Sequence, residues 1–486
     1  MKYFYMFLFI WVVVSCSERE EIQTPKVEIN EPPSIVKFEI DSISHNSAYI
    51  RWDSAIDPEN DEVKYSVELE GRTVLQNSDS KSYKFQNLEE LKNYSGKIIA
   101  TDSHKNITAK PFTFQTKKYY LTFVKYYNFP VSDQTYGAAV NILKLSDGNY
   151  LIGGYEGTFG GYSVYLTKID YNGNLIWRKG YDIPCESSPP TFKMKEINGE
   201  IILTASYYVA KLNLDGVLRW KKRITTYDNG YGDSTINSFT VDAEDNIYVV
   251  GTLADITNET HEKGMITKLD KDGAYIWEKQ YGSTFTETGS KSMYLRFIDV
   301  DLQDNQLLVY GDLDVSGLNS NSNMSRQAFY VRKTDTDGFT IFEKTFHNSE
   351  TNLGHQLIKR KNGNYLLSSS QKIIEIDKQG QELWAKTIYS PAQMYNMFYS
   401  VVETTSGNLF FIGKEGKSGT YFLTDTRGNT IWKKYYNDFP HIIAGSDVVE
   451  EADKSFRLAF TFARNYGNYS LYDEIMVIKT DPEGNF

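Results

Sequence analysis

The sequence predicts an all-β chain: a small two-sheet sandwich, then a seven-bladed β-propeller whose last blade is closed by a strand from the start of the same domain. Three observations predict it. Aromatic residues make up 15% of the 486 residues, 37 of them Tyr, and such rings, with frequent Thr, Ile and Val, suit pleated half-buried strands better than helices. Short alternating segments are separated throughout by clusters of Gly, Asn, Asp and Pro, the signature of strands and turns. One spacing recurs in six full copies: Asp or Asn, Gly three residues on, an aromatic four further, and Lys two beyond that.

Residues 1–15 hold a single base, Lys2, followed by an apolar run from Tyr3 to Val14 that is too short to span a bilayer as a stable helix. It reads as the hydrophobic region of a signal peptide. The run ends in Val13-Val14-Ser15-Cys16, which resembles the bacterial lipobox. The resemblance implies that the Cys16 thiol is acylated and becomes the mature N-terminus, so that the membrane is a partner through this anchor. Residues 16–32 are an acidic, polar, Pro-containing tether of a composition that stays solvated and extended. Ser17 after the Cys, and the cluster Glu18-Arg19-Glu20-Glu21, resemble the outer-membrane and surface-export signals of Bacteroidetes lipoproteins. The expected location is the outer membrane.

Residues 33–116 carry alternating segments at 35–40, 47–52, 63–69, 82–85, 94–101 and 108–116, separated by turns such as Asp57-Pro58-Glu59-Asn60-Asp61. That pattern is expected of a β-sandwich. The segment resembles fibronectin type III domains at Trp52, Tyr65, Leu88 and Tyr94, the last two standing where that family has its tyrosine corner. Asp57, Asn60 and Asp61 admit two readings, a set of oxygen ligands for a hard cation or a solvated turn. The turn is the expectation, and no metal or catalytic constellation is assigned to this module.

Residues 117–486 are repetitive. The full copies begin at Asp170-Gly173-Trp177-Lys179, Asn213-Gly216-Trp220-Lys222 and Asp270-Gly273-Trp277-Lys279, and continue at Asp335-Gly338-Phe342-Lys344, Asp377-Gly380-Trp384-Lys386 and Asp425-Gly428-Trp432-Lys434. In each, the Asx side chain bonds backbone two residues on and Gly supplies a positive φ, which makes a β-hairpin. A second hairpin signal precedes each copy, so one unit has four strands. Seven such first turns, at intervals of 51, 47, 59, 58, 44 and 47 residues, give seven blades of ordinary propeller length. The last unit reaches Asp481 and Gly484 without an aromatic-Lys strand, while Phe123-Val124-Lys125-Tyr126-Tyr127 matches that strand and has no hairpin partner. It is expected to complete the seventh blade and remove the open edges.

Phe123, Trp177, Trp220, Trp277, Phe342, Trp384 and Trp432 are therefore read as structural rings between blades, with the Lys methylenes lying along them and the amine reaching water or an acid. The repeat resembles the tryptophan-docking repeats of quinoprotein-like propellers, the family that includes an outer-membrane assembly lipoprotein, and departs from them in turn length and blade number. Enzymes of related propellers carry a vicinal disulfide, which Cys185 alone in this domain excludes. The Asp-box of sialidases is one residue shorter in both intervals.

Six histidines show no metal-ligand spacing, and no HExxH, CxxC or GxSxG occurs, so no metal, cofactor or catalytic set is expected. Without residues 1–15 the chain has 52 − 1 = 51 bases against 63 acids, a net of −12, which argues against nucleic acid as a partner. The stretch from Gly153 to Gly161 is expected to be a flexible loop. One face of the propeller has only tight hairpins; the opposite face carries connections of variable length, at 156–163, 182–190, 227–234, 255–264, 314–326, 389–397 and 464–470. Variable loops on a rigid scaffold usually hold the binding site. Tyr136, Tyr155, Phe159, Tyr231, Tyr395 and Tyr469 lie there and are the candidate contacts to a glycan or protein ligand. The alternative is a hydrolase or lyase with acids converging in the central channel.

Overall fold

The structure, a computed structural model, describes residues 30–34, 37–127, 136–158, 161–185, 191–224, 235–254, 261–282, 292–316, 326–347, 354–390, 396–437, 441–465 and 471–486. All regular elements among them are β-strands. The chain divides into two compact units, Met1–Tyr119 and Tyr120–Phe486.

The first unit has two antiparallel sheets. One orders Phe38–Asp41, Ala48–Trp52 and Ser82–Phe85; the other orders Arg72–Ser78, Lys64–Leu69, Asn93–Thr101 and Ile107–Gln115. Period-two alternation buries Ala48, Ile50 and Trp52 and leaves Arg51 outside on Glu39 and Asp41. The core joins Ile50, Trp52, Val67, Phe85, Ile98 and Phe112 from both sheets. The Tyr94 hydroxyl accepts the Glu89 amide at 2.8 Å. The strand Arg72–Ser78 was not anticipated from sequence: it is half-buried or exposed along its length, so it has no apolar period. Its signal is the Glu70-Gly71 turn, where both residues have positive φ, as a two-residue hairpin requires.

The second unit contains seven four-stranded antiparallel meanders. The first has strands Tyr136–Lys144, Tyr150–Thr158, Gly161–Ile169 and Leu175–Cys185. Five more follow over residues 192–223, 235–281, 292–347, 354–387 and 397–436, the third and fourth sharing a short parallel pairing at His261 and Glu262. The seventh takes three strands from residues 441–479 and its fourth, Phe123–Tyr127, from the other end of the unit, paired in register from Ile475↔Tyr127 to Lys479↔Phe123. The first strand of each sheet abuts the first strand of the next, and that of the seventh abuts that of the first. These are the inner strands, and the series of contacts returns to its start.

Each junction has its own apolar cluster, and one repeat aromatic joins each: Trp177, Trp220, Trp277, Phe342, Trp384, Trp432 and Phe123. These rings are partly rather than fully buried. Most stand over the second turn of the next sheet, where a Cβ on Gly216 would lie 2.8 Å from Cη2 of Trp177 and one on Gly173 would lie 2.6 Å from Cζ of Phe123. Gly216 also holds φ +73°, so the position excludes a side chain twice over. Trp384 is the exception, since Lys386, Ile373 and Ile388 meet Gly428 instead. The repeat Lys donates to that same turn: Lys125 to Asn174 at 2.8 Å, Lys179 to the Asp215 carbonyl at 2.6 Å and Lys434 to Asn485 at 3.0 Å.

Candidate functional site

The inner strands run from the edge of variable connections toward the edge of tight turns, and their side chains form the wall that any central site would use. In six of the seven a β-bulge interrupts pairing, at Val140, Asn237, Ile298, His355, Tyr399 or Ser446, the last strand having a second at Ile443. Val140, Asn237, Ile298, His355, Tyr399 and Ser446 are all partly exposed. A bulge re-aims its neighbours, and the residue after each one points toward an adjacent sheet.

Those following residues build a belt of hydrogen bonds. Asn141 Oδ1 accepts the Met194 amide at 3.0 Å, and Lys195 Nζ donates to the Phe239 carbonyl at 2.9 Å. Ser238 Oγ donates to Asp299 Oδ1 at 2.6 Å, and Asp299 Oδ2 accepts the Leu357 amide at 3.0 Å. Gln356 Oε1 accepts the Val401 amide at 2.9 Å, Ser400 Oγ donates to Asp447 Oδ1 at 2.9 Å, and Asn141 Nδ2 donates to Asp447 Oδ2 at 2.8 Å. Every junction is crossed, and the last step returns to the first residue. Asp447 further accepts the Ile142 and Val448 amides, and Asp299 the Val300 amide. Both carboxylates are therefore engaged by several donors.

The belt leaves no periodic signal in the sequence, although strand-interior glycines mark it. Gly154, Gly251, Gly311 and Gly413 each lie opposite a bulge, where a Cβ would fall 1.8 to 2.2 Å from a carbonyl oxygen of the inner strand. The expectation of a flexible loop from Gly153 is thereby corrected. Residues 150–158 are a strand, paired through Glu156↔Ser163 and Thr158↔Gly161, because glycine lets two backbones approach there.

The wall also carries displaced titrations. His355 retains some exposed surface, yet desolvation pushes its imidazole down to about 4, and its ring meets Tyr399 edge-on at 6.4 Å. Burial pushes the Tyr399 hydroxyl up to about 12. Burial also raises Asp301 against the pull of Lys359 and Lys195, and lowers Lys195 against that of Asp299 and Asp301. Such groups on one wall are what acid–base chemistry or recognition of a polar ligand would use.

Of the six candidate ligand contacts, Phe159, Tyr231, Tyr395 and Tyr469 lie outside the described residues, as does Cys16. Tyr136 pairs with Gly157 at the end of its strand. Tyr155 is partly buried, meets Tyr162 edge-on at 5.4 Å and packs on the cluster of the first junction. Beside it Arg178 and Glu156 pair at 3.0 Å with little exposure. The structure thus brings Tyr136 and Tyr155 to one end of the first sheet. Two open grooves, of about 630 and 810 Å³, lie instead at the first sheet's outer strand beside Tyr127 and at the turn edge between Leu143 and Lys195.

In the first unit Asp57 and Asp61 are joined by Asp102, a carboxylate oxygen of each lying within 4.8 Å of the others. Asn60 sits in the turn with φ +66°. Asp102 was out of reach of sequence reasoning, since only the pairing of Lys64–Leu69 with Asn93–Thr101 brings it there.

No protein-family model and no curated protein matches the chain. Among solved structures it is similar to a quinoprotein alcohol dehydrogenase-like protein from Bacteroides thetaiotaomicron, at 9% identity over 84% of this chain and 98% of that one, with a TM-score of 0.35. It is also similar to a polysaccharide lyase, at 11% identity over 73% and 92% with a TM-score of 0.45. A protein of unknown function from Bacteroides caccae is similar at 10% identity over 65% and 98%, with a TM-score of 0.37.

Proposed function

We propose that this chain is an outer-membrane lipoprotein, anchored at Cys16 and spaced from the membrane by a fibronectin type III-like sandwich. Its seven sheets act as the blades of a β-propeller that binds a glycan or protein ligand on the face of variable connections. The observation that carries the reading is the engagement of Asp299 and Asp447 in the belt: the acids of the inner strands hold the sheets together. Tight turns occupy one edge, while connections at the other range from two residues, Ser206 and Tyr207, to the eleven of 224–234. Length variation of that kind on a fixed frame accommodates a partner.

The test is a glycan array probed with the purified wild-type chain and with Tyr231→Ala/Tyr395→Ala. Capture by the wild type that the double variant loses at an unchanged melting temperature supports the reading. No capture by the wild type, or capture that survives the double change, overturns these contacts. For the anchor, Cys16→Ala moves the chain out of the membrane fraction and abolishes lipid labelling; retention of either refutes it.

A second reading, a hydrolase or lyase, is favoured by one observation, the edge-on contact of His355 and Tyr399 at 6.4 Å on the inner wall. It requires that Tyr399→Phe abolish turnover of a polysaccharide that the wild type cleaves.

A further inference from the structure

Asp57 and Asp61 lie in the turn between Ala48–Trp52 and Lys64–Leu69, and Asp102 follows Asn93–Thr101 on a neighbouring connection. Asp57 and Asp102 are buried, at 6% and 5% exposure. Their local bonds account for most of their oxygens. Asp57 Oδ1 accepts the amides of Glu59 at 3.1 Å and Asp61 at 3.0 Å. Asp102 Oδ1 accepts the Asn106 amide at 2.8 Å, and its Oδ2 accepts Asn30 Nδ2 at 2.6 Å and Asn106 Nδ2 at 3.0 Å. Asp61 Oδ2 meets His104 Nδ1 at 2.8 Å, on an exposed imidazole.

One buried atom is left over. Asp57 Oδ2 is buried and has no hydrogen-bond partner among the described residues, an arrangement that costs free energy unless a cation or a bound water satisfies it. One oxygen from each of the three carboxylates lies within 4.8 Å of the other two, a spacing that fits around one ion with ligand distances of about 2.3–2.6 Å. Three neighbouring negative charges with one exposed histidine beside them favour the same partner electrostatically.

We propose that Asp57, Asp61 and Asp102 form a calcium site in the first unit. The donors are hard oxygens, with no thiolate in the cluster, and they come from turns on two separate connections, which suits an ion of flexible coordination better than magnesium with its tight octahedron. The site would also fix the entry of the chain. Asn30 donates to Asp102, and its carbonyl accepts Asn106 Nδ2 at 3.3 Å, so holding Asp102 holds the last residues before the sandwich. Calcium thereby makes the end of the tether part of the folded unit.

The experiment titrates calcium alone into the full chain, freed of divalent ions by chelator, by calorimetry, and follows the melting temperature in parallel. One saturable site and a rise of about 5 °C or more, the order expected when a small domain gains a ligand, are the expected results. Asp57→Asn keeps the Oδ1 that caps Glu59 and Asp61, and should weaken binding at least tenfold and cancel the rise. Asp61→Asn, whose side chain bonds neither amide, should do the same, and decides the matter if the first variant does not fold. No heat and no shift in the wild type, unchanged binding in Asp61→Asn, or an equal effect of magnesium overturns the proposal.

Discussion

Each junction between sheets of the second unit is fastened at two places, and the two fastenings are chemically unlike. At the outer strands a large ring, a Lys and a Gly turn repeat with almost the same contacts from junction to junction. At the inner strands the links are polar and no single one recurs throughout: an amide on Asn141 and another on Gln356, Lys195 on a carbonyl, and a Ser on an Asp twice, Ser238 on Asp299 and Ser400 on Asp447. The difference teaches that repetition is needed only where one shape must fit seven times. A hydrogen bond between strands held at fixed spacing can be made by whichever polar side chain a bulge has aimed.

Where the seventh sheet meets the first, the outer fastening is reinforced by Arg457, fully buried. It lies 3.7 Å over the Tyr150 ring and is bound to Glu451 at 3.2 Å and to the Tyr171 carbonyl at 2.9 Å. The largest loss of stability is expected here. Arg457→Ala should cost about 4 kcal/mol in urea unfolding, because Glu451 is left buried with less compensation. Arg457→Met with Glu451→Leu should recover most of it; failure to recover would mean that the ring contact, not the ion pair, carries the junction.

Asp447→Ala should come next, at about 3 kcal/mol, since it strips partners from Asn141, Ile142, Ser400 and Val448 at two junctions together. A cost below that of one exposed substitution would show the belt to be incidental. Gly216→Ala should cost about 2 kcal/mol from its positive φ and the Trp177 ring. Repeating it in a Trp177→Ala background isolates the ring part, because the backbone part and the crowding by the Tyr181 hydroxyl should remain. The smallest effect is a gain. Lys454 occupies the left-handed position of its turn with φ +70°, where most other turns of the series have Gly, so Lys454→Gly should stabilise by about 0.5–1 kcal/mol. A loss instead would mean that the Lys454 contact with Thr405 outweighs the strain.

The outer fastening was legible in the sequence because each copy meets the same neighbours and so uses the same residue types at the same intervals. One part of it escaped notice: the fourth residue past each aromatic is large and apolar or aromatic in every copy, buried in five and half-buried at Tyr181 and Ile388, and Tyr127, Tyr181 and Tyr281 donate from there to the carbonyls of Gly173, Gly216 and Gly338. The inner belt was not legible, since Asn, Lys, Ser, Asp and Gln share no pattern, and the bulges that aim them shift the strand period by one. Strand-interior Gly was the available sign, and in the first sheet its clustering resembled a loop. In the first unit the turn at Asp57 was visible, whereas Asp102 reaches it only through sheet pairing.

The pairing of Phe123–Tyr127 with Ile475–Lys479 has a consequence for how the chain acquires its structure. During synthesis or export the earlier segment emerges more than three hundred residues before its partner. Until then Val124 and Tyr127 stand on an unpaired strand, a state prone to pairing with other chains. The six preceding sheets are made of consecutive hairpins and can form as they appear, but the last junction is a contact of very high sequence separation and therefore slow. The closing step is the one a chaperone would have most reason to guard.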